Sequence, residues 1–112
     1  MAKNDYFVLA YRMLAYLYDC LKKEQKPSWE YMMYETKQFP IHEDYFVYLM
    51  EQLYTGGYIE GILLFPQNGY CGIKDAPGIR ITPKGIEFLQ ENNCMKRAAK
   101  FLASLKEAVP GL

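Results

Sequence analysis

Three stretches with helical periodicity, a strand-rich segment broken by turn signals, and two further helical stretches follow one another along 112 residues. That order predicts an α+β fold of the winged helix-turn-helix type: a three-helix core, a two-strand wing hairpin and additional C-terminal helices. Two details of the connections point the same way. A turn of about five residues separates the second and third helices, as helix-turn-helix units require, and the hairpin follows directly on the glycine pair that ends the third helix.

From Asp5 to Lys26 there is neither Gly nor Pro, and Phe7, Tyr11, Leu14, Tyr18 and Leu21 recur at alternating four- and three-residue spacings. This marks one face of a helix over 5–26. Leu9, Met13, Tyr16 and Cys20 form a second stripe on roughly the opposite side, so the helix is apolar nearly all round and must be covered on both sides. Pro27 and Ser28 break the pattern. Ser28 reads as an N-cap, with Glu30 near the positive end of the helix dipole, for a short second helix over 29–36 whose apolar side is Trp29, Met32 and Met33. Phe39-Pro40 closes that segment, because a residue before proline avoids helical angles. The third helix, 43–55, has the core stripe Phe46, Leu49, Met50 and Leu53, and Gly56-Gly57 supplies a left-handed cap at its end.

Residues 58–65 are rich in aromatic and β-branched types and read as a strand, with Gly61 as a bulge or weak point. Repeated turn signals from Pro66 to Gly78, Asn68-Gly69 the most explicit, predict one hairpin with a long tip and a returning strand over 79–82. Thr82 then caps, and Pro83 opens, a fourth helix over 83–92 that carries Ile86, Phe88 and Leu89 and ends at Asn92-Asn93. In the fifth helix, 94–108, Met95, Ala98, Leu102, Leu105 and Val109 repeat in the pattern of a helix-helix seam, while Lys96, Arg97, Lys100 and Lys106 fall mostly elsewhere.

Composition narrows the functional classes. With 51% apolar residues the chain can build one core and hardly two, so 1–112 is expected to be a single domain. No apolar run approaches the roughly 18 residues that span a bilayer, which leads to the expectation of a soluble, cytoplasmic protein with no membrane partner. Cys20, Cys71 and Cys94 are scattered and read as buried reduced thiols rather than a disulfide framework or a zinc pair. With His42 the sole histidine, multi-histidine metal sites are excluded, and neither a cofactor motif nor a small-molecule site is evident. Glu43 beside His42, with Glu51 further along, can be drawn as an acid-base pair, but acids favour the first turn of a helix on electrostatic grounds alone. The expectation is therefore no enzyme. Thirteen basic and thirteen acidic residues cancel, yet residues 27–65 hold Lys37 alone against Glu30, Glu35, Glu43, Asp44, Glu51 and Glu60. The middle of the chain is acidic.

The stretch from Ile41 to Ile59, the run Ile81-Thr-Pro-Lys-Gly-Ile-Glu-Phe-Leu-Gln-Glu-Asn92 and the terminal helix with Leu105-Lys-Glu107 resemble the YjcQ family of small bacterial and phage proteins. The resemblance covers nearly the whole chain and implies a winged helix fold and a phage or prophage origin. It carries fold rather than activity. One departure is His42, where the family usually has Ser or Thr before the third helix; histidine is the weaker cap.

Two functional readings follow. In the first, the chain is a DNA-binding regulator of phage type, with the third helix in the major groove of double-stranded DNA: Tyr48, Gln52 and Thr55 reach bases or phosphates, and Lys37, Lys74, Arg80 and Lys84 contact phosphate. Against it, no Lys or Arg lies between Gln38 and Lys74. In the second, it is an interaction module, most simply a homodimer, joined through Leu9, Met13 and Tyr16 of the first helix and Met95, Leu102 and Leu105 of the fifth. The same seam can instead close within one chain. Surface charge separates the readings: bases converging around the third helix favour DNA, and a face dominated by Glu43, Asp44 and Glu51 favours a protein.

Overall fold

The computed structural model describes residues 1–67, 70–75 and 78–106, with the backbone alone described in 65–67 and 70–75. In chain order the elements are α1 Tyr6–Lys22, α2 Trp29–Met32, α3 Glu43–Thr55, β1 Ile59–Glu60, β2 Leu63–Gln67, β3 Tyr70–Asp75, β4 Arg80–Ile81, α4 Pro83–Glu91 and α5 Asn93–Ser104.

α1 is the central element. Every residue from Val8 to Leu17 is buried, Arg12 included, because α3, α4, α5 and β4 all pack on this helix. The two-sided covering that its double stripe demands is therefore present, although Phe7 and Leu21 at the ends of one stripe stay exposed. α1 ends at Lys22 rather than at the expected 26. Glu24 adopts φ 55°, and the Gln25 and Glu24 N–H groups donate to the carbonyls of Cys20 and Leu21 at 2.9 and 3.2 Å. This is the left-handed closure that glycine usually makes, here without a glycine to announce it.

The second helix is one turn, not the 29–36 expected. The Thr36 hydroxyl donates to the Met33 carbonyl at 2.7 Å and accepts from the Phe39 N–H at 3.2 Å, offering the backbone an alternative to helix. Residues 33–42 therefore separate α2 from α3, in place of the compact turn expected. Ser28 makes no side-chain cap bond; its own N–H donates to the Tyr16 hydroxyl at 2.8 Å, and the Tyr16 ring stacks on Tyr31 at 4.4 Å. α3 spans the expected residues and buries Phe46, Leu49, Met50 and Leu53. Its end is the expected glycine closure: Gly57 has φ 82°, and the Tyr58 and Gly57 N–H groups donate to Leu53 and Tyr54 carbonyls at 2.9 and 3.0 Å.

The single long-tipped hairpin is replaced by two antiparallel ladders. β1 pairs with β4, Ile59 opposite Ile81 and Glu60 opposite Arg80. β2 pairs with β3 from Leu63 opposite Asp75 to Gln67 opposite Tyr70, with an irregularity between Leu63 and Leu64. The break falls at Gly61, where φ is 83° and a Cβ would overlap the Gly78 carbonyl. Ile62 and Ile79 are buried beside it. The Asn68-Gly69 turn lies outside the described residues.

A three-way joint ties α3, β1 and α4 together. The Thr82 hydroxyl donates to the Gly57 carbonyl at 2.5 Å and accepts from the Gly85 N–H at 3.0 Å, with Pro83 at the first helical position. A Cβ on Gly85 would overlap the Tyr58 carbonyl, so only glycine lets α4 approach β1 this closely. Asn92 ends α4 and also caps α5, accepting from the Cys94 and Met95 N–H groups at 2.8 and 3.3 Å. Met95, Ala98 and Leu102 of α5 are buried, while Val109 lies outside the described residues. The chain is thus α+β, with five helices and two small antiparallel ladders among the described residues, an arrangement compatible with a winged helix. No described helix is long and apolar enough to cross a membrane.

Candidate interaction surface around α3

The buried stripe of α3 fixes which side chains face outward. Asp44, Tyr48 and Thr55 are exposed, and Val47, Glu51 and Gln52 are half-buried. Tyr45, Tyr48 and Gln52 form one wall of an open groove whose other wall is Tyr6 and Phe7, at the start of α1. Tyr6 meets Phe7 edge-on at 5.2 Å and Tyr48 at 6.1 Å, and the Tyr45 hydroxyl donates to the Asn4 carbonyl at 2.8 Å. Burial, reinforced by Tyr48, Tyr58 and Tyr45, pushes the Tyr6 phenol above its ordinary pKa. Burial likewise raises Tyr45, helped by Asp5 and Tyr48. At Tyr6 and Tyr45 the groove thus favours the neutral phenol. Beyond it, Tyr58 packs on Phe88 at 4.4 Å, and Lys84 Nζ lies 5.3 Å from the centre of the Tyr58 ring.

The electrostatics of this surface are acidic. Glu43 and Asp44 occupy the first turn of α3, and its last turn carries no base. The Tyr34 hydroxyl donates to Glu43 Oε2 at 3.5 Å, and the nearby Glu43 charge is the main reason the Tyr34 phenol is raised. His42 Nδ1 stands 3.3 Å from Glu35 Oε1, with both side chains exposed. His42 thus pairs with Glu35 rather than with Glu43, and the acid-base pair drawn from the sequence does not assemble. On α5 the signs reverse: Lys96, Arg97 and Lys100 are all exposed, and no acid lies between Asn92 and Lys106.

A family model described as the YjcQ protein matches residues 11–108. The chain belongs to the YjcQ family. No curated protein and no solved structure matches it.

In this YjcQ chain the residues singled out for DNA contact that are described lie on α3, on residues 33–42, on β4 and on α4. Tyr48, Gln52 and Thr55 do lie on the outer side of α3, but the Thr55 hydroxyl donates back to the Glu51 carbonyl at 2.9 Å. Arg80 Nε donates to Glu60 Oε1 at 2.6 Å, so its charge is matched locally. Lys84 sits beside the C-terminal end of α3, and Lys37 is exposed in 33–42. The Lys74 side chain lies outside the described residues, as do those of Phe65, Tyr70 and Cys71. Cys20 is a buried free thiol, and Cys94 a half-buried one.

The proposed seam closes within the chain. Leu9, Met13, Tyr16, Met95 and Leu102 are all buried in its own core, and of that set only Leu105, 38% exposed, reaches the surface. Sequence reasoning did not place the groove: Tyr6, Phe7 and Tyr45 went unremarked as a surface, although Tyr6 and Phe7 stand just ahead of the buried run of α1. The basic ridge of α5 was legible as charges lying off the seam.

Proposed function

We propose that this YjcQ chain is an interaction module of winged helix-turn-helix type that holds a protein partner on its α3 face and does not read duplex DNA. The observation that carries this reading is the chemistry of that face. Tyrosines and the carboxylates of Glu43, Asp44 and Glu51 stand where a DNA reader needs cations, and no Lys or Arg lies between Gln38 and Lys74. Carboxylates near phosphates are repelled, and without basic neutralisation the counterion-release contribution that supplies non-specific DNA affinity is small. Exposed aromatic rings bordered by polar groups are instead typical of protein-contact surfaces.

A second reading, the DNA-binding regulator of phage type, is favoured by one observation: Gln52, a side chain able to pair with adenine, points outward from α3 with Lys84 beside the end of the same helix. Fluorescence-anisotropy titration with labelled random duplex DNA at about 50 and 200 mM salt separates the two. The interaction-module reading expects no binding at either salt. Micromolar binding that fades with salt, and is abolished by Lys74→Ala/Arg80→Ala/Lys84→Ala, overturns it in favour of DNA.

A further inference from the structure

We infer that the occupant of the α3 groove is a second copy of this chain, presenting the basic ridge of α5. The inference rests on the interaction-module reading and names its partner. α3 and α5 each pack on α1 and each buries its apolar face, so both charged faces point outward. α3 offers Glu43, Asp44 and Glu51 and no base; α5 offers Lys96, Arg97 and Lys100 and no acid. The exposed rings of the groove suit the same cations, since the face of a tyrosine attracts ammonium and guanidinium groups. The chain already makes such contacts within itself: Lys22 Nζ lies 4.5 Å from the centre of Tyr18, and Lys84 Nζ lies 5.3 Å from the centre of Tyr58.

Spacing agrees with charge. Lys96 and Lys100 stand about one helical turn apart, roughly 6 Å along the axis, as do Asp44 and Tyr48. Two helices laid side by side thus set one cation against a carboxylate and the next against an aromatic ring. Because the meeting surfaces differ, two reciprocal contacts about a two-fold axis close a dimer, and a single contact continues into a longer assembly.

The test is the mass of the full chain by light scattering, from micromolar to millimolar protein, at about 20 and 500 mM salt, conditions across which exposed charge pairs are strongly screened. The expected result is association at low salt that reverts to monomer at high salt. Asp44→Lys/Glu51→Lys and Lys96→Glu/Lys100→Glu each remain monomeric alone, and an equimolar mixture associates again. Recovery in the mixture also shows that both variants are folded. A wild-type chain that stays monomeric at low salt, association untouched by charge reversal, or a mixture of folded variants that fails to associate overturns the inference. In that event a Lys-rich amphipathic peptide, titrated into the isotope-labelled chain, decides the underlying reading. If the peptide shifts the amides of α3, a cationic protein partner other than this chain remains; if duplex DNA shifts them and the peptide does not, both proposals fall.

Discussion

α3 and α5 each bury one apolar stripe against the rest of the core, Phe46, Leu49, Met50 and Leu53 in the one and Met95, Ala98 and Leu102 in the other, yet the faces they turn to solvent are opposite in charge. The inner faces obey the same rule and differ little in chemistry. The outer faces are not set by the core, and there the difference between carboxylates with tyrosines and a ridge of Lys and Arg carries the functional information. A net charge of zero hides this polarity, because it excludes a general field without excluding two local ones.

The equivalence of the inner faces can be broken most directly by cavity-forming substitutions. Phe46→Ala in α3 should cost about 3–5 kcal/mol and Leu102→Ala in α5 about 2–5 kcal/mol, read by chemical denaturation. A loss well under 1 kcal/mol at Leu102 would mean that α5 is only loosely attached and that the core is complete without it. The helix starts sharpen the contrast at a smaller scale. Asn92 caps α5 with two accepted bonds, so Asn92→Ala should lose about 1 kcal/mol. His42 makes no cap bond to α3, so His42→Ser should gain a few tenths of a kcal/mol, up to about 1.

Alkaline titration probes an asymmetry in ionisable groups, since α3 and its flank carry Tyr6, Tyr34 and Tyr45 while α5 has no tyrosine. All three phenols are raised above the ordinary 10.0, which means the fold favours their neutral forms. Their contribution is fully present below pH 10 and is lost as pH climbs through the raised values, so stability falls with pH in that window. Amide exchange should quicken around α3 before it quickens around α5; simultaneous loosening of both would count against a local cause. Smallest of all in stability is Tyr48→Ala, expected within about 0.5 kcal/mol because the ring is 53% exposed. Its effect belongs to association, which should weaken while the melting temperature holds.

Much of this was readable from residue order alone, and the misses share a physical cause. α3, the Thr82-Pro83 start of α4 and the glycine end of α3 each carry an explicit chemical signal, and the structure places them as expected. α1 stops at Lys22 through a left-handed Glu24, a conformation for which glutamate gives no warning. α2 is cut short by a Thr36 hydroxyl whose partners become evident only once Met33 and Phe39 are close in space. Gly61 was marked as a weak point in a strand, but the separation of two ladders depends on its approach to Gly78, far along the chain. The groove was illegible for the same reason: Tyr6 and Tyr48 lie far apart in sequence, and their meeting is a product of tertiary packing.

The burial of α1 on every side also governs how the chain reaches its fold. Its covering comes from α3 early in the sequence and from β4, α4 and α5 late in it, so contacts between Tyr6–Lys22 and Asn93–Ser104 close a loop across most of the chain. Such long-range contacts slow folding relative to bundles built from sequence neighbours. On the ribosome, the sides of α1 that β4, α4 and α5 cover stay open until those elements have emerged, so the packing of this helix is completed last.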